Sequence, residues 1–193
     1  MQHLNTKDLW PLAVYEGVRD QFRKDVIAAK KDRRIEVGPA MTLVFENRLT
    51  VKFQVLEILR AERITAPALV REELEGFNTM LPGEGELSAT LMVAFTGSEP
   101  EVAAKLAALT RLSEHVHLEV AGQRIRAIFE GGRDDGRRVS AVQYLRFAVG
   151  SPAGLLDLAQ PVRLSIDHPA YRHAAALSEG TRRSLAQDLA RNS

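Results

Sequence analysis

The chain contains no cysteine among its 193 residues. That excludes disulfides, thiolate metal sites and cysteine nucleophiles, and it fits a reducing compartment. Long hydrophobic runs are missing too. The longest stretch without a charged residue or histidine is Leu87 to Ser98, twelve residues. A membrane-spanning helix needs roughly twenty. The opening residues, MQHLNTKDLW, lack the basic start and apolar run of a secretory signal. A cytoplasmic, bacterial-style soluble protein is expected. Neither sign of charge dominates: 26 Lys and Arg against 25 Asp and Glu give a formal net charge of +1. Such a balance supplies no global field for nucleic acid or an anionic membrane.

Several catalytic signatures are also lacking. There is no Walker loop, no G-x-G-x-x-G after a strand, no G-x-S-x-G elbow and no His-Glu-x-x-His. No helix carries the Glu-x-x-His pair of four-helix di-iron bundles. No reaction can be read from the sequence, and whether the chain is an enzyme is left open.

What is present is a globular composition, 45% hydrophobic, in a length that suits one domain. Its strongest local pattern is FENRLTVKFQVLEILRAERI, Phe45 to Ile64. At about 100° per residue, its apolar residues cover some two-thirds of a helix circumference. A surface helix shows a narrower stripe, so this helix is expected to be buried on more than one side. Thr50, Gln54 and Glu57 fall in the remaining sector. They read either as a polar stripe facing a pocket or as a structural hydrogen-bond seam. Glu57 and Arg60, three residues apart, are placed to pair.

Around that helix the elements follow in order. A short helix capped by Thr6 precedes a longer one from about Asp20 to Arg33, with a break near Gly17 and with Phe22, Val26 and Ile27 buried. Strands follow at Arg34–Val37 and Met41–Glu46, joined by Gly38-Pro39. A second helix runs from Ala68 to Met80, then a strand from Glu86 to Thr96 and a helix opened by Ser98. His115–Val120 and Gln123–Phe129 read as a hairpin turned at Ala121-Gly122. The register sets His117 opposite Arg126, Leu118 opposite Ile125, Glu119 opposite Arg124 and Val120 opposite Gln123. Glu119 and Arg124 then form a favourable charge pair. The remaining elements are a Gly/Asp turn through Arg138, a strand Val139–Val149, a short helix after Pro152 and a final strand Val162–Asp167. An amphipathic helix closes the chain. The fold class is α+β: a single domain over residues 1–171, a mainly antiparallel sheet of six or seven strands with helices packed on it. Residues 172–193 form a helical tail.

Candidate chemistry is sparse. His115 and His117 have a spacing that can hold zinc or iron, but the hairpin register puts Arg126 opposite His117, which favours a solvated charged face. Asp167 and His168 could act as base and orienter, although neighbours on a strand point to opposite faces. Glu46, Glu57, Asp167 and His168 could ligate non-haem iron or manganese if they converged. Two basic clusters read as solvated surface: Lys30, Lys31, Arg33 and Arg34, and Arg133, Arg137 and Arg138.

Four segments taken in order, FENRLTVKFQVLEILRAERI, LPGEGELSATLMV, SAVQYLRF and IDHPAY, resemble the bacterial domain-of-unknown-function family 3501 across Thr6 to Tyr171. The positions carried over are Glu46, Gln54, Glu57, Arg60, Glu62, Gln143, Arg146, Asp167, His168 and Tyr171, with no catalytic assignment attached. The resemblance implies an accessory or interaction module linked to redox or oxidative-stress chemistry. Its expected partner is a rubrerythrin-like or iron–sulfur oxidoreductase protein. The alternative is a metal-dependent enzyme built on Glu46, Glu57 and His168.

Overall fold

The computed structural model describes residues 1–132 and 139–191. The chain opens with a 3-10 turn, Thr6–Asp8, followed by α1 (Leu12–Lys30), β1 (Arg34–Val37), β2 (Met41–Phe45), α2 (Arg48–Ala61) and α3 (Pro67–Asn78). Next come β3 (Glu86–Val93), α4 (Glu99–Ala107), β4 (Val116–Val120), β5 (Gln123–Arg126), β6 (Ile128–Phe129) and β7 (Val142–Ala148). The last elements are α5 (Ala153–Leu156), β8 (Arg163–His168), β9 (Tyr171–Ala176) and α6 (Glu179–Arg191).

Among the described residues, nine strands form two antiparallel sheets in one α+β domain. The larger has the order β1-β2-β3-β7-β6 and the smaller β5-β4-β8-β9. Alternation along each strand sends one side chain in two into the space between the sheets. Leu43 and Phe45 of β2, Leu91 of β3 and Phe147 of β7 meet Leu118 of β4 and Leu164 and Ile166 of β8 in one buried cluster. Each such side chain stabilises the fold by about 1.5–3 kcal/mol. The opposite face of the larger sheet is covered by helices. Val51, Val55 and Leu59 of α2 pack with Leu74 of α3, Met80 and Tyr144. α1 lies on α2 through Tyr15, Phe22, Val26 and Leu56. The layers are therefore sheet, sheet and helices.

The expected hairpin has the register read from the sequence, residue for residue. Its second strand stops short, however. Ala127 still bonds Val116, but Ile128 and Phe129 pair with Arg146 and Leu145 of the other sheet. One extended segment thus serves both sheets. This crossing is why two sheets of five and four strands replace the single sheet of six or seven. The other added strand is β9, YRHAAA, whose alanines give no bulky alternation to read. Residues 172–191 contribute β9 and α6, and Leu185 and Leu189 of α6 are fully buried in the inter-sheet core.

The N-terminal expectations need correction. Asn5, not Thr6, caps the first turn. Gly17 does not break α1, which runs unbroken for 19 residues. A mid-helix glycine costs about 1 kcal/mol, less than the anchoring of Tyr15, Phe22 and Val26 contributes. Ile27 faces outward, 49% exposed. Gly38 turns β1 into β2 at φ +72°, and a Cβ there would lie 2.6 Å from the Tyr171 hydroxyl. The cluster Arg133, Arg137 and Arg138 lies outside the described residues.

Candidate functional site

Glu46 follows β2 directly and immediately precedes Asn47, the residue that caps α2 by accepting from the Leu49 and Thr50 amides. Its carboxylate is buried, 4% exposed. Oε2 accepts from Thr50 Oγ1 at 2.5 Å and Gln54 Nε2 at 3.1 Å, and Oε1 accepts from Thr90 Oγ1 at 2.6 Å. Its amide donates to the Ser88 carbonyl at 2.8 Å. All three side-chain donors are neutral. The adjacent N-terminus of α2 adds a positive partial charge. Glu46 also lines a cavity of about 160 Å³, together with Ser88, Phe129, Glu130, Tyr144 and Arg146 among others. Arg146 donates to Glu86 at 3.1 Å and also to the Thr79 carbonyl. Sequence reading missed Thr90 and Ser88 as partners. The available signal was two hydroxyls at alternate positions of a strand buried on both faces.

Glu57 lies further along α2 but serves a different structure. It accepts from Arg19 through both oxygens, at 2.8 and 2.7 Å, and from the Tyr15 hydroxyl at 2.8 Å. The Arg19 guanidinium holds the Glu57 carboxyl below its ordinary range. Burial, then the Glu57 hydrogen bond, pushes the Tyr15 phenol up. Arg60 does not pair with Glu57 within the helix as expected; it meets Glu16 of α1 at 3.2 Å. Contact without hydrogen-bond alignment leaves its Nε, a buried donor, with no bonded partner. Both residues thus tie α1 to α2. Of the expected seam, Thr50 and Gln54 hold Glu46, whereas Glu57 faces the other helix.

On the smaller sheet, Asp167 and His168 diverge as strand neighbours should. Asp167 points outward, accepting from Arg124 at 2.5 Å and lying 3.0 Å from His115 Nδ1. The Arg124 hydrogen bond holds the Asp167 carboxyl at about 2. His117 lies 3.1 Å from Arg124, and burial followed by that guanidinium pushes its imidazole down. Arg124 therefore goes to Asp167 rather than to Glu119, which accepts from Ser165 at 2.9 Å. His168 points inward and is buried. Its Nδ1 accepts from the Ala170 amide and its Nε2 lies 3.1 Å from the Thr110 carbonyl, so the ring is neutral with the proton on Nε2. Both nitrogens are occupied. Tyr171 donates to the Val37 carbonyl at 2.6 Å and accepts from Ala40, clamping the β1–β2 turn.

The structure thus places the candidates in separate networks. Glu46 and Gln54 sit between β2 and α2, Glu57 and Arg60 between α2 and α1, Arg146 pairs with Glu86 while lining the same cavity as Glu46, and Asp167, His168 and Tyr171 lie on the smaller sheet. Among the described residues, no three His, Asp or Glu side chains are grouped to hold a metal ion. No described helix is long and apolar enough to cross a membrane. Sequence reading also missed Arg33, taken as solvated surface. It is 2% exposed, pairs with Asp188 of α6, and donates to the carbonyls of Phe45 at 2.9 Å and Glu46 at 3.1 Å.

Fold and sites together define an α+β sandwich with a helical layer and internally partnered polar clusters. The family model described as "Protein of unknown function (DUF3501)" matches residues 3–189, and the chain belongs to that family. It is similar to a solved crystal structure, a novel protein of unknown function from Burkholderia pseudomallei K96243. The two share 32% identity over 97% of this chain and 100% of that one, with a TM-score of 0.88. No curated protein matches the sequence.

Proposed function

We propose that the chain is a non-enzymatic interaction module that docks an acidic protein surface on the outer face of its four-stranded sheet. The observation that carries this reading is the arginine content of that face. Arg124 and Arg126 of β5, Arg163 of β8 and Arg172 of β9 are all exposed. The strand registers set Glu119 and Asp167 among them, and Glu114 lies near Arg126, so four arginines face three carboxylates among the described residues. Arginine suits such docking because its planar fork binds carboxylates in pairs. The engagement of Glu57, Asp167 and His168 by neighbouring groups supports a binding role over a catalytic one.

The partner classes implied by the family resemblance, a rubrerythrin-like protein or an iron–sulfur oxidoreductase, are the first candidates. Binding of each purified protein is measured by calorimetry at low and high salt, with the wild-type chain and with Arg126→Glu/Arg172→Glu. The expected result is an affinity that falls steeply with salt and drops about tenfold or more on charge reversal, with an unchanged melting temperature. Binding indifferent to both salt and charge reversal would remove the docking face. If neither redox protein binds, the redox link is removed.

A further inference from the structure

The cavity beside Glu46 lies on the helix side of the larger sheet, across the sandwich from the arginine face, and stands independently of it. Glu46 is the feature that requires explanation. A buried carboxylate is costly unless its charge is matched. Its three side-chain donors are neutral. The nearby guanidinium of Arg33 bonds the main-chain carbonyl of Glu46, and its charge is matched by Asp188. Among the described residues, no ion pair involves the Glu46 carboxylate. A carboxylate offers about four acceptor positions, so three donors leave one for a further group.

The cavity can supply that group. Its volume of about 160 Å³ suits a small head group rather than a large ligand. Phe129 and Tyr144 line it together with Glu46, Glu130 and Arg146, and the Arg146 guanidinium is already engaged by Glu86 and the Thr79 carbonyl. A carboxylate beside aromatic side chains favours an organic cation, which gains both a charge-assisted hydrogen bond and attraction to ring faces. An anion meets the carboxylates of Glu46 and Glu130 and a guanidinium already paired with Glu86, and a neutral alcohol leaves the Glu46 charge unmatched. We propose that this cavity is a binding site for a small organic cation, a primary amine or alkylguanidinium, with Glu46 taking its charged head.

The test uses the wild-type chain and backbone-amide NMR with propylammonium chloride, against 1-propanol and sodium propionate as neutral and anionic matches. Propylammonium should shift Ser88, Thr90 and Tyr144 and leave β9 unmoved, and the two controls should not. Glu46→Gln should weaken binding about tenfold or more, as loss of a charge-assisted bond does. Phe129→Leu should weaken it severalfold while keeping the preference for the cation. No shift beyond a sodium chloride control, or equal shifts with propanol, overturns the proposal. That comparison needs no variant, so it decides the matter even if Glu46→Gln fails to fold.

Discussion

Asp167 sits between Arg124 and His115, and its carboxyl is held at about 2 against an ordinary value near 4. A carboxyl depressed on folding contributes stability that is present above the unfolded value and lost as pH falls through the folded one. The window here runs from about pH 4 down to about pH 2. Asp167→Asn should therefore destabilise the chain at pH 6 and have a vanishing effect near pH 2, read as urea midpoints across that range. Its side chain is 44% exposed, so solvent screening keeps the difference below about 1 kcal/mol. At this scale the sequence was partly legible. Opposite orientations for Asp167 and His168 followed from strand geometry alone. Partner identity did not, because partners come from remote segments: Arg19 reaches Glu57 across 38 positions, and Asp167 lies 43 from Arg124.

Elements were easier to read than contacts wherever local periodicity set them. The β4–β5 register followed from a two-residue turn and a two-sided pattern, and α2 from its broad apolar arc. β9 was not legible, since three alanines lack a pattern that distinguishes strand from tail. Nor was the docking of α6, which depends on Arg33 and Asp188, 155 positions apart. Arg33 also donates to Ser184 at 2.9 Å, so one buried guanidinium joins α6 to the end of β2. Removing one member of a buried pair leaves the other charge uncompensated, at a cost of about 3–5 kcal/mol. Asp188→Asn should show that loss in denaturant unfolding. Replacing both residues with apolar ones of similar volume should restore much of it.

For the whole molecule, the class was legible and the layering was not. Nothing in Gln123–Phe129 announces that the strand changes sheets, because both halves carry alternating residues. The metal-enzyme alternative required Glu46, Glu57 and His168 to converge, and this is a property of layering too. Glu46 and Glu57 face opposite neighbours of α2, while His168 lies on the other sheet with both nitrogens engaged. Elemental analysis of protein purified without a histidine tag should find no stoichiometric iron, manganese or zinc. Stoichiometric metal lost on His168→Ala would reverse that expectation. The crossing at Ala127 has a mechanical consequence. Because consecutive residues are laced into both ladders, the edge strands β5 and β6 are tied to one another and the two sheets are coupled in opening. Slowly exchanging amides in the two sheets should then share one opening free energy, that of global unfolding.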